Sequence, residues 1–186
     1  MADIRTRVLE AALDCVGRNG FARTTVEEVA RASGVSRATV YRHFPGGRDQ
    51  IVSDVISWEA GRFFLGLTAE VAGATGLAQV LEEALTYAHR ALADHQVFQK
   101  VLATEPEVLL PQLTLETARL VGFVRAFLLP YVAAAPLRDG VGAEDAADLL
   151  ARLVLSYIGS PGQRDLSDRA QLSRLVTEDL LSAILA

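Results

Sequence analysis

"GVSRATVYRHF", residues 34–44, puts two arginines, a threonine, a tyrosine and a histidine into about two helical turns directly after a glycine. Ser36 suits the N-cap of a short helix ending at His43, because its hydroxyl can accept from the free N–H groups of the first turn. Ala38, Val40, Tyr41 and Phe44 are the candidates for a narrow apolar side that seats this helix. The rest of its surface offers donors. Arg37 and Arg42 can pair with phosphate or, bidentately, with guanine, and Thr39 can meet a thymine methyl or a phosphate oxygen. Tyr41 and His43 can reach phosphates, and Ser36 brings the positive end of the helix dipole toward one.

The preceding residues supply a partner for this helix. A first helix is expected over about residues 3–18, with Ile4, Val8, Ala11, Ala12, Cys15 and Val16 on one face and Asn19-Gly20 as its stop. Thr24 or Thr25 can cap a second, with Glu27 and Glu28 in its first turn and Val26, Val29 and Ala30 turned inward. Gly34 closes it. Two short helices joined by a tight glycine turn, the second crowded with donors, make a helix-turn-helix.

Charge follows the same division. The chain has 186 residues and a formal charge of −5, but residues 1–50 carry eight arginines against six carboxylates, a net +2, which leaves −7 for the remainder. Such asymmetry suggests two modules with different partners. No apolar run approaches the roughly 18 residues of a membrane span, and the first ten residues lack a signal-peptide core. The lone Cys15 falls in an apolar stripe. A soluble, cytoplasmic protein is expected.

Beyond Phe44-Pro45-Gly46-Gly47 the apolar residues recur every three or four positions, so the chain reads as all-α, with about nine helices. Helices are expected over about 48–71, 77–94, 96–103, 106–131, 143–158 and 166–185. Pro111 is expected to kink or restart the fourth of these. The second would turn Leu77, Leu81, Ala84, Leu85, Ala88 and Leu92 inward. The division of role is placed at residue 47, giving a three-helix DNA-binding unit (1–47) and a larger helical domain (48–186).

From residue 7 to 54 the chain resembles the DNA-binding domain of the TetR family of transcriptional repressors. The resemblance rests on "AALDCVGRNGFARTTVEEVARASGVSRATVYRHF": a helix, Gly-Phe, a Thr-Thr entry to the second helix, "VARASGVS", then "ATVYRHF". It implies an N-terminal unit that binds a palindromic operator as double-stranded DNA, and assigns ligand binding and dimerisation to the helical domain (48–186), which would bind a small effector. Homodimerisation is implied through the last two helices. It also implies that Thr24 or Thr25 meets phosphate at the start of the second helix, and that Arg48 does so at the start of the fourth. "FPGGRDQI" is one residue longer than the usual connection. Effector binding would shift the fourth helix and change the separation of the two recognition helices.

The C-terminal part is expected to offer an apolar pocket anchored by a few polar groups. Phe123, Phe127 and Tyr131 fall on one helical stripe, with Tyr87 and His89 on a neighbouring helix. "AADLLARLVLSYIG" and "LSRLVTEDLLSAIL" carry more leucine than one monomer should expose, which suggests a four-helix bundle between two copies; the alternative is that both bury within the monomer. His43, His89 and His95 are scattered, so no metal site is expected. No cofactor is expected either. The sequence has no nucleophile elbow, and "PGGRD" lacks the Lys-Ser/Thr of a phosphate loop, so no catalytic residue is assigned. The reading is a ligand-responsive repressor, with a helical carrier or enzyme bearing a non-DNA-binding N-terminal unit as the alternative.

Overall fold

The computed structural model describes residues 3–160, 162 and 164–186, without the side chains of 108–117. The described chain is all-α: α1 (Ile4–Asn19), α2 (Val26–Ser33), α3 (Arg37–His43), α4 (Gly47–Glu70), α5 (Leu77–Asp94), α6 (Gln96–Thr104), α7 (Pro106–Ala133), α8 (Ala143–Gly159) and α9 (Arg169–Arg174). α7 runs on through Pro111, so the helix is not restarted there.

Packing divides the chain into two compact units. The first takes residues up to Gly66 together with Leu92–Gln112, and the second takes Leu67–Ala91 and Leu113–Ala186. The division of role at residue 47 is a separate matter, because α4 belongs to the packing of the helices that precede it.

In the first unit, α1 contributes Val8, Leu9, Ala11, Ala12 and Cys15 to a core that it shares with Val26, Val29 and Ala30 of α2. Val40, Phe44, Ile51 and Val55 complete the cluster. Arginines then fasten the edges. Arg5 donates to the His43 carbonyl and to Asp54, with its guanidinium over the Phe44 ring. Arg7 donates to the Ser33 carbonyl, where α2 turns into α3. The short helix α6 begins with His95 as its cap: Nδ1 accepts from Phe98 N–H, which leaves the proton on Nε2 to face Glu59 at 2.9 Å.

The second unit is built on Leu81, Leu85, Leu128, Leu150, Leu175 and Leu180, all nearly inaccessible to solvent. Its C-terminal end departs from the expected single helix over 166–185. Asp168 halts the chain and caps α9, its carboxylate accepting from Ala170 and Gln171 N–H. The helix then widens into a π-turn over Leu175–Leu180, with Leu181 N–H donating to Val176 O. That widening lets Leu175, Val176, Leu180, Leu181 and Ile184 all face inward. The leucine excess of the last segment is therefore buried within the monomer. In α8, Leu150 and Val154 are buried while Leu149 stands 43% exposed.

Candidate nucleic-acid interface

Two caps set the entries of the helix-turn-helix. Thr25, not Thr24, is the N-cap of α2: its hydroxyl accepts from Glu28 N–H, and the Glu28 carboxylate accepts from Thr25 N–H, a reciprocal capping box. Thr24 is 3% exposed and donates to the Gly20 carbonyl, so its hydroxyl is engaged inside the fold. At the turn, Gly34 takes the left-handed conformation (φ 65°), with its N–H directed at Ala30 and Arg31 carbonyls. Ser36 caps α3 by accepting from Thr39 N–H at 3.2 Å, and its hydroxyl also lies 2.9 Å from that of Thr39.

The seat of α3 is narrower than the sequence suggested. Val40 and Phe44 are completely buried, but Ala38 is exposed and Tyr41 is 39% exposed. At about 100° per residue, Phe44 lies about 40° around the helix from Val40, whereas Tyr41 lies about 100° away and Ala38 about 160°. A two-turn helix has one such inward row. Ala38 and Tyr41 therefore join Ser36, Arg37 and Arg42 on the outer surface, with Thr39 and His43 half-buried at its margins.

The outward arginines differ in their surroundings. Arg37 Nη1 lies 2.8 Å from Glu27 Oε1 on α2, and its guanidinium carbon is 5.5 Å from the centroid of the Tyr41 ring. Tyr41 first, and the Glu27 carboxylate second, hold the Arg37 guanidinium above its ordinary pKa, so its charge is permanent. Arg42 is exposed and has no hydrogen bond or ion pair among the described residues. Tyr41 in turn rests beside Gly47, whose positive φ (63°) opens α4 and where an added Cβ would stand 3.3 Å from the ring.

Arg48 faces inward. Its Nε donates to the Thr24 carbonyl at 2.9 Å and its Nη2 to the Phe21 carbonyl, so it braces the turn that leads into α2. The extra glycine of "FPGG" is absorbed where Gly47 N–H donates to Phe44 O and Gly46 N–H to Gln50 Oε1. Sequence reasoning missed Arg5, Arg7 and Lys100 as parts of the site's frame. Their partners lie 49, 26 and 83 residues away, and no local pattern announces them.

The effector candidates all lie in the second unit. Phe127 and Tyr131 are half-buried against its core, with ring centroids 5.7 Å apart. Phe123 is 48% exposed. Tyr87 is half-buried with the Arg90 guanidinium 5.9 Å from its ring centroid, and His89 is half-buried on the same helix. No helix among the described residues is long and apolar enough to cross a membrane.

Residues 8–55 match the model of the bacterial regulatory proteins of the tetR family. An uncharacterized HTH-type transcriptional regulator of Mycobacterium tuberculosis is 46% identical over 56 residues, 30% of this chain and 30% of that protein. The chain thus matches less than a third of the length of that relative. The HTH-type transcriptional regulator AlkX of Mycobacterium tuberculosis is 26% identical over 94% of this chain and 83% of its own. Among solved structures, the TetR family repressor AlkX of a Dietzia species, described as implicated in biodegradation of n-alkanes, shares the fold with a TM-score of 0.65. That similarity covers 93% of this chain and 91% of the other, at 22% identity. The helix-turn-helix geometry and the match over its residues agree: residues 8–55 are similar to the helix-turn-helix domain of the bacterial regulatory proteins of the tetR family.

Proposed function

We propose that the protein is a ligand-responsive repressor. As a homodimer it binds a palindromic operator through two copies of α3, and a small apolar or amphipathic molecule bound within residues 48–186 releases it. The observation that carries this reading is the outer surface of α3. Ser36, Arg37, Thr39, Tyr41, Arg42 and His43 line a helix whose only deeply buried side chains belong to Val40 and Phe44. Thr25 adds an exposed helix entry beside it, while Thr24 and Arg48 brace the turn from inside.

Two-fold symmetry follows from the chemistry of reading. A seven-residue helix contacts few base pairs, and two copies spaced about 34–36 Å apart convert a weak half-site into a specific palindrome. The exposed Leu149 of α8 is the apolar residue we assign to the dimer surface. Phe123, Phe127, Tyr131, Tyr87 and His89 are the residues we assign to the effector. Their aromatic character suits an apolar chain, the compound class named for the Dietzia relative.

Selection of bound sequences from a random DNA pool tests the proposal. Enrichment of an inverted repeat supports it, and recovery of no preferred sequence overturns it in favour of a carrier or enzyme. With the operator in hand, saturating medium-chain n-alkane or fatty acid is expected to weaken binding. Unchanged operator affinity with both would remove the apolar-effector part of the reading.

A further inference from the structure

Glu27 is an oddity of the outer surface. It stands in the first turn of α2, half-exposed, with its carboxylate 2.8 Å from Arg37 Nη1. It therefore shares the surface that Arg37 presents. A carboxylate there opposes the attraction to phosphate that supplies most non-specific affinity. The pair does little for the fold either, since an ion pair this exposed contributes little to stability. A feature that weakens general binding without holding the fold together calls for another role.

The geometry of Arg37 supplies one. Its guanidinium is held on one side by Glu27 and lies against the Tyr41 ring on another. A planar fork fixed at two points loses little freedom when it meets a second planar partner. The partner that matches a guanidinium in the major groove is guanine, through O6 and N7. Arg42, five residues after Arg37 and without a partner among the described residues, has the opposite properties: a charge free to follow a phosphate.

We infer that Glu27 is a positioning residue, which orients Arg37 as the reader of one guanine in each half-site and trades general affinity for sequence preference. The inference rests on the DNA-binding reading proposed above. Glu27 acts through Arg37 and makes no base contact itself. The anion also discourages Arg37 from drifting to the backbone, because a phosphate would have to approach the carboxylate.

The test uses the full chain and four proteins: wild type, Glu27→Gln, Arg37→Ala and the double variant. Each is put through selection from random DNA and then titrated against the selected duplex and a scrambled one. Wild type is expected to enrich a guanine in each half-site. Glu27→Gln should reduce that preference by about tenfold, the loss of roughly one well-formed bidentate contact. Its binding to the scrambled duplex should be unchanged or tighter. Arg37→Ala should erase the same guanine preference, and Glu27→Gln should add nothing in that background. Unfolding midpoints should differ only by the small helix-dipole contribution of a first-turn carboxylate, which separates reading from folding.

Other results overturn the inference in distinguishable ways. If Glu27→Gln changes selected and scrambled affinities by the same factor, Glu27 is only a repulsive charge. If it alters a base preference that Arg37→Ala leaves intact, Glu27 reads a base directly. If wild type selects no sequence, the DNA-binding reading itself falls, and this inference with it.

Discussion

Lys100 Nζ donates to the carbonyl oxygens of Gly17 and Arg18, at 2.6 and 2.9 Å, so a side chain of α6 caps the C-terminal end of α1. Five residues on, the Glu105 carboxylate accepts from Ala22 N–H at 2.9 Å. A cation thus meets the negative end of a helix and an anion meets a free N–H just beyond it. Lys100 and Glu105 lie outside residues 8–55, the stretch that the family pattern covers, while Gly17, Arg18 and Ala22 lie inside it. The helix-turn-helix is supported by a segment that its own sequence does not contain.

Lys100→Ala is accordingly expected to lower the stability of the first unit by about 0.3–1 kcal/mol, the range for a largely exposed cation at a helix C-terminus. Urea unfolding measures it: the midpoint should fall while the slope stays constant, because the same surface is exposed on unfolding. Lys100→Arg should recover part of the loss. An unchanged midpoint in Lys100→Ala would mean that water replaces the ammonium at no cost.

Gly20→Ala should be more damaging. Gly20 has φ 84° and ψ 169°, a region open to glycine and strained for any other residue by about 1–3 kcal/mol. An added Cβ would also run into the Glu105 carboxylate, which must then leave Ala22 N–H. The double variant Gly20→Ala/Glu105→Ala relieves the collision and keeps the backbone strain. It should lie between the sum of the single effects and the wild type, a coupling that a double-mutant cycle reads directly.

These contacts show where sequence reasoning reached and where it stopped. Caps and rows are local, so the Ser36 cap and the inward face of α1 were legible from spacing, whereas spacing left Thr24 and Thr25 both open as the cap of α2 and seated Ala38 and Tyr41 with Val40 and Phe44. A stop such as Gly34 was legible because only a left-handed residue ends a helix in that way. Charge was harder. Counting eight arginines in residues 1–50 treats them alike, but Arg5, Arg7 and Arg48 are engaged with carbonyls or Asp54, and Arg37 with Glu27. Those pairings depend on tertiary proximity. The last helix failed for a different reason: apolar spacing of three to five residues fits α and π turns alike, and the widening at Leu175–Leu180 follows from what the core can admit.

Acid should expose the cap of α9. Hydrogen bonds from Gln171 N–H, then from its side-chain amide and from Ala170 N–H, hold the Asp168 carboxyl below its ordinary value of 3.8. A carboxyl depressed on folding stabilises the native state above its unfolded pKa, and that contribution is lost as pH falls through the lower folded value. Asp168→Ala should therefore be less stable than wild type at pH 7 by the same margin as at pH 5, with the gap closing below 3.8. The difference between Asp168→Asn, which keeps an acceptor, and Asp168→Ala should instead stay constant with pH, because neither side chain titrates. Unfolding at matched pH values, taken as differences between variants, cancels the titration of every other group.

Salt dependence should separate the two kinds of arginine on the operator side. Each phosphate neutralised on duplex DNA contributes about 0.9 to the slope of log affinity against log salt. Arg42, exposed and without a partner among the described residues, is expected to make one such contact. Arg42→Ala should weaken binding to every sequence by a similar factor and reduce the slope by about 1.8, because each of the two protomers loses one contact. Arg42→Lys should restore the slope, since a point charge serves a phosphate as well as a fork does. Arg48→Ala is the control: its guanidinium is already given to the Phe21 and Thr24 carbonyls, so it should lower stability and leave the slope intact. Loss of preference at a single base position in Arg42→Ala, with the slope unchanged, would instead make Arg42 a reader of sequence and leave the phosphate contact to another residue.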